Sequence, residues 1–141
     1  LPRVDGNYII RKEYCPSYGV KDEGDHDRFW TMVSGTIEEG ERPIETLKRE
    51  MAEETPIRPE RIRLFERRKE IPFVKLSTQR VTFYHFDVLQ YTKTEAEGDG
   101  TEIEEKSTYE VVDYDRLQEL SQKPNSDLLI TFAASMARPI E

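Results

Sequence analysis

Apolar positions recur along this chain with two different periods, and the switches between them mark its elements. Asn7-Tyr8-Ile9-Ile10-Arg11-Lys12-Glu13-Tyr14 follows Val4 and the turn pair Asp5-Gly6, which predicts the end of one strand, a hairpin and a second strand. Phe29-Trp30-Thr31-Met32-Val33 predicts a short apolar strand broken at Ser34-Gly35. From position 43 the period lengthens. Ile44, Leu47 and Met51 fall at i, i+3 and i+7, the stripe of a core-facing helix running from 43 to about 55. Pro43 occupies the first turn, where proline is tolerated, and Pro56 ends the helix. Strand character returns in the stretch 62–73, at Arg63-Leu64-Phe65-Glu66, and is strongest over 79–89, where Val81, Phe83, Tyr84, Phe86 and Val88 cluster.

The remaining segments are polar. Residues 15–29 carry Pro16, Gly19 and Gly24 and predict an exposed loop, and 91–108 predict a long acidic one. Tyr109-Glu110-Val111-Val112 is a last strand, 115–120 a short helix, and 126–136 a terminal helix capped by Ser126 or Asp127. Strands on both sides of one long helix, with a helix at the end, predict an α/β/α sandwich around a mixed β-sheet in a single domain spanning 1–141. Leu1 in place of Met raises the expectation that further residues precede it.

Composition narrows the partners. Hydrophobic and charged residues each make up 35%, so the core is lean, yet seven Tyr, six Phe and one Trp grouped in strand-like runs argue for a folded chain. A net charge of −8 speaks against binding nucleic acid through a broad basic face. It still permits a phosphorylated small molecule, if bound cations invert the local charge. The single cysteine, Cys15, excludes an internal disulfide and a Cys-rich zinc site, and fits a reducing, cytoplasmic compartment. No apolar run approaches the ~20 residues of a membrane span.

The candidate chemistry lies on the long helix. At about 100° per residue with Ile44 at zero, the apolar stripe centres near 330°, Glu54 falls near 280°, Glu50 near 240° and Glu53 near 180°. Three carboxylates thus share one flank, with Glu54 at the edge of the buried stripe. Like charges at i, i+3 and i+4 repel, and more strongly near apolar surface. One reading is a solvated acidic face with Arg49 pairing Glu45 and Glu53. The other is a cation site, whose hard oxygens suit Mg²⁺, Mn²⁺ or Ca²⁺.

The spacing of these residues resembles the Nudix family. Its signature asks for Gly, five residues, Glu, seven residues, Arg-Glu, an aliphatic residue, one residue, Glu-Glu, one residue, Gly and an aliphatic residue. Gly35, Glu41, Arg49-Glu50-Met51, Glu53-Glu54 and Ile57 all stand at the required spacing, and Pro56 replaces the second glycine. Proline cannot take the positive φ usual at that exit, so the turn must be built differently.

The resemblance implies that Glu50, Glu53 and Glu54 hold divalent cations, Mg²⁺ or its substitute Mn²⁺, with help from the Gly35 carbonyl. It implies that Arg49 orients the cluster within a network that includes Glu41. The reaction implied is metal-assisted hydrolysis of a diphosphate, with Glu53, Glu54, Arg49 and a loop glutamate as the catalytic groups. For that loop base Glu102, Glu104 and Glu105 are the candidates, and Glu105 is favoured by its distance from the last strand.

Trp30-Thr31-Met32-Val33-Ser34-Gly35 resembles the Trp-Glu-Leu-Pro-Ala-Gly segment of ADP-ribose and nucleoside-diphosphate-sugar pyrophosphatases, although only Trp30 and Gly35 are identical. Tyr8-Ile9-Ile10-Arg11, Pro72 and the run from Val111 through Leu117 fit the same subgroup. Gln79 stands where that subgroup often has Glu. Arg11 and Arg80 are expected at the diphosphate or ribose, against surface ion pairs, and Trp30 on a base, against the core. His26 and His85 receive no role.

The leading expectation is hydrolysis of a nucleoside-diphosphate derivative of the ADP-ribose or sugar type. A nucleoside-triphosphate pyrophosphatase that clears damaged nucleotides, an enzyme of capped RNA ends, and a non-catalytic sensor or scaffold remain as alternatives. The subgroup's N-terminal dimerising region is expected to be missing or cut away, which leaves a homodimer open. A Glu54→Gln change is expected to harm folding little, because relieving repulsion offsets lost cation binding.

Overall fold

The computed structural model describes residues 1–15, 27–72, 79–98 and 100–139. Of the predicted loop 15–29, residues 16–26 lie outside the described residues, as does Phe73, while Arg28 and Phe29 belong to a strand. Strands β1 (Pro2–Val4) and β2 (Asn7–Tyr14) are joined by Asp5 at φ 48° and Gly6 at φ 83°. Two successive positive φ values form the tight turn that an Asp-Gly pair favours.

Among the described residues, strand β2 is the hub of a six-stranded sheet. Its first residues pair with β1 and its last with β3 (Arg28–Thr31), while β6 (Thr108–Val112) runs along the opposite edge. β1 pairs in parallel with β5 (Arg80–Lys93), and β5 pairs antiparallel with β4 (Ile57–Pro72), so the sheet is mixed.

Period-two alternation sorts side chains to two faces. Val4, Ile9, Tyr84, Phe86 and Val88 face one way and bury Met51 and Ile57 with them, under helix α1 (Pro43–Glu54). Tyr8, Ile10, Phe83 and Val112 face the other way, under α3 (Tyr114–Ser121) and α4 (Leu128–Met136). Helices on both faces make the predicted α/β/α arrangement. The cap of α4 is Asp127, whose carboxylate accepts from Ile130 N at 3.0 Å and from the Thr31 hydroxyl at 2.6 Å. No described helix is long and apolar enough to cross a membrane.

Two boundaries depart from the pattern. β4 starts at Ile57 rather than near 62, and β5 continues to Lys93, because Ile57, Arg58 and Pro59 pair with Lys93, Thr92 and Tyr91. The start of β4 alternates buried Ile57 and Pro59 with exposed Arg58 and Glu60, two apolar positions that are too few to show as a period, and the end of β5 at Thr92 and Lys93 is polar and exposed. Within the predicted loop 91–108 stands a short helix, α2 (Glu102–Lys106), closed by a Lys106–Glu102 ion pair of 2.6 Å.

Candidate active site

Helix α1 begins at Pro43, and the Glu45 carboxylate accepts from the Arg42 backbone N–H at 2.9 Å and from its guanidinium at 2.8 and 3.0 Å. At the other end all four terminal carbonyls have donors. Met51 O accepts from Thr55 N at 3.0 Å and its hydroxyl at 2.6 Å, Ala52 O from Glu97 N at 3.2 Å, Glu53 O from Gly98 N at 2.9 Å, and Glu54 O from Arg11 Nη1 at 3.1 Å. Thr55 leaves the helix extended, at φ −140° and ψ 164°, and its hydroxyl accepts from Ile57 N. This is the exit that Pro56 requires, with no left-handed residue.

The three carboxylates follow the order expected from the helix wheel. The side chain of Glu54 is 7% exposed, Glu50 12% and Glu53 26%. Glu54 Oε2 accepts from Ser34 N at 3.2 Å, and Oε1 lies 3.8 Å from Arg11 Nη2. The Glu50 carboxylate rests on Gly35, so closely that a methyl group built there would overlap it. Both acids therefore reach the segment 34–35 that follows β3.

Arg49 gathers the rest. It donates to both oxygens of Glu41 at 3.0 and 3.1 Å, to Glu50 at 2.7 Å, to Glu53 at 3.3 Å and to the Thr36 carbonyl at 3.0 Å. Glu45 belongs to Arg42, so the pairing of Arg49 with Glu45 does not form. The Arg49 bonds, then the Thr46 hydroxyl at 2.6 Å, hold the Glu41 carboxyl down at about 2. Glu41 in turn raises Arg49.

A group whose folded value is depressed stabilises the fold above its ordinary range and loses that contribution as pH falls. The gap in unfolding midpoint between wild type and Glu41→Gln is therefore expected to be widest above pH 5 and to close toward pH 2. A gap independent of pH would remove Glu41 from the charged network.

Among the described residues, no three His, Cys, Asp or Glu side chains converge as a metal cluster, and the arginines hold the acids instead. The donor set nonetheless suits a hard divalent cation: three carboxylates on one helical flank, no thiolate or imidazole with them, and a glycine that leaves room for one of the acids.

A cavity of about 570 Å³ opens between the segment 32–37, α1 and the start of β5, with Gly35, Glu50, Leu47, Arg80, Val81 and Tyr84 in its wall. Its size is that of a small-molecule site. Arg80 thus lines the same cavity as Glu50.

Trp30 does not join the cavity. It is 6% exposed and belongs to the cluster under α4, and its backbone N–H donates to Asn125 O at 2.7 Å. This is the core placement, the second of the two readings of this residue. Arg11 is likewise buried under α1 against Glu54 instead of standing at a surface where substrate could reach it. Glu105 is exposed on α2, whose neighbours are Tyr14 and Arg28 on β2 and β3, and it does not line the cavity. Glu102 is paired with Lys106. His85 packs between the Tyr8 and Phe65 rings.

Sequence reasoning missed the amides of Ser34, Glu97 and Gly98 and the Thr36 carbonyl. They are backbone groups, and only the glycine at 98 (φ 62°) offered a residue-level signal of a turn.

A mixed sheet between helices thus carries an acidic helix flank opposite a glycine. The chain belongs to the Nudix family, whose NUDIX domain model matches residues 17–131. A search of curated proteins finds no match. Among solved structures the fold is similar to that in "Crystal structure of ADP compounds hydrolase", at TM-score 0.66 and 18% identity over 96% of this chain and 66% of that one. It is also similar to the E. coli ORF135 protein in solution, at TM-score 0.54 and 16% identity over 99% of this chain and 91% of that one. A third likeness is to MutT, from a study of Aliivibrio salmonicida and Vibrio cholerae, at TM-score 0.51 and 16% identity over 94% and 88%. At such identities the likeness is one of fold. This chain spans about two-thirds of the length of the ADP compounds hydrolase chain.

Proposed function

We propose that this protein hydrolyses the diphosphate linkage of a nucleoside-diphosphate derivative of the ADP-ribose or nucleoside-diphosphate-sugar type. One observation carries the reading: Glu50, on the carboxylate flank of α1, forms a wall of the 570 Å³ cavity together with Gly35 and Arg80. The cavity is large enough for a nucleoside moiety, its apolar side at Leu47, Val81 and Tyr84 suits a base, and Arg80 suits an anionic diphosphate. The similarity of fold to a protein described as an ADP compounds hydrolase agrees with this substrate class.

Glu50, Glu53 and Glu54, with the Gly35 carbonyl, would hold Mg²⁺ or Mn²⁺. When bound, such a cation offsets charge developing on the diphosphate oxygens and lowers the pKa of an attacking water. The chain's own groups do the remainder. Arg49 aims two of those acids, Glu50 and Glu53, by holding them with Glu41 in one guanidinium fork. Arg80 orients the diphosphate; Glu105, which does not line the cavity, is given no step. With a single cysteine and a small nucleotide substrate, the enzyme is assigned to the cytoplasm.

A panel of ADP-ribose, UDP-glucose, NADH, diadenosine polyphosphates, GTP and dinucleotide-capped RNA, each with Mg²⁺ or Mn²⁺, tests the reading. ADP-ribose is expected to yield AMP and ribose phosphate as the preferred reaction. A preference for GTP with release of inorganic pyrophosphate would reassign the enzyme to triphosphates, and turnover of nothing would leave a binding domain.

A further inference from the structure

We propose that Arg11 is a positioning residue for Glu54, and not a substrate contact. The inference rests on the proposed function, because it concerns the aim of an acid assigned there to the cation. Arg11 is the largest side chain in the fully buried interior, 2% exposed, on the face of β2 that α1 covers. Its guanidinium reaches one residue twice: Nη1 donates to the Glu54 carbonyl at 3.1 Å, and Nη2 lies 3.8 Å from its carboxylate Oε1. The other carboxylate oxygen accepts from Ser34 N at 3.2 Å, next to Gly35.

Glu54 is thus held between a cation beneath the sheet face and an amide in the cavity-side segment. The guanidinium thus anchors the main chain of Glu54 by a hydrogen bond and faces the carboxylate of the same residue as an ion pair, a combination that a planar, multi-armed cation suits better than a point charge. A cation at the last carbonyl also complements the helix dipole. Both effects act on the last turn of α1, where Glu53 and Glu54 sit. A guanidinium used in this way has no surface left for a phosphate, and Arg80 stands in the cavity instead.

The test uses Arg11→Lys in the full chain, with kcat and KM for the best substrate and Mn²⁺ affinity read separately by paramagnetic resonance of the free ion. Arg11→Lys is expected to lower kcat and Mn²⁺ affinity by about 10- to 100-fold each, with KM changed less than about twofold. A raised KM with unchanged Mn²⁺ affinity would restore the substrate role and overturn the proposal. A loss of thermal stability with neither kcat nor Mn²⁺ affinity altered would overturn it too, since it would show a purely structural arginine.

Because a lysine variant can fail to fold, a second comparison removes both charges. Arg11→Met combined with Glu54→Gln leaves no buried ion unpaired, and it is expected to bind Mn²⁺ as Glu54→Gln alone does, within about twofold. Weaker binding by the double variant would show that Arg11 acts elsewhere. The Mn²⁺ measurements need no substrate, so a failure of the proposed reaction and a failure of the Arg11 assignment are read apart.

Discussion

Changing Glu54 to Gln is expected to lower turnover by about 10³-fold or more, the scale on which a single electrostatic contact to a hydrolytic transition state acts. Glutamine keeps the shape and one acceptor for Ser34 N, so the change isolates charge from geometry. The structure reverses one expectation about this variant. Repulsion among carboxylates suggested that folding would be unharmed, but Glu54 is buried against Arg11, and the amide leaves that guanidinium a weaker partner. A stability loss of about 1–3 kcal/mol is therefore expected. Single-turnover rates across a Mg²⁺ titration, with thermal unfolding of the same samples, measure both effects. Unaltered turnover would remove Glu54 from the chemistry.

Changing Arg49 to Met should separate two jobs that one guanidinium performs. It neutralises Glu41, Glu50 and Glu53, and it aims them. Without it, the acids repel across a partly buried flank, and the metal-free protein is expected to lose about 2 kcal/mol; full burial would cost more, but Arg49 is 27% exposed and solvent screens the loss. Dications bind the folded state more readily where repulsion is unrelieved, so added Mg²⁺ should raise the unfolding midpoint more in the variant than in wild type. Turnover should nevertheless fall about 100-fold, because neutral charge does not restore aim. Equal Mg²⁺ shifts in the two proteins would show that Arg49 and the cation do not share ligands.

Much of the site could be read from local spacing. The wheel placed Glu54 nearest the buried stripe, then Glu50, then Glu53, and exposure follows that order, because a helix of twelve residues converts sequence separation directly into angle. Pro56 likewise announced an exit without a left-handed residue, and Thr55 provides it in extended form. The Asp5-Gly6 turn followed from the same kind of local constraint.

Other features had no local signal. Trp30 looked like part of a ligand site because of the motif around it, yet its side chain is 6% exposed and packs in the layer beneath α4. The full length of β4 and β5 comes from pairing that runs on past the apolar stretches, as far as Ile57 opposite Lys93, where too few apolar positions alternate to show a period. The caps on α1 come from amides at 97 and 98, identical in every residue but proline.

What the sequence by itself determined, then, is the family, the helix that carries the acids and the flank on which they lie, since all of these depend on residues within a few turns of one another. Only the tertiary structure decided which positive charges meet those acids. Arg11 stands 43 residues from Glu54 in the chain and reaches it because β2 passes beneath α1, a closeness produced by sheet pairing and helix packing that no spacing rule encodes.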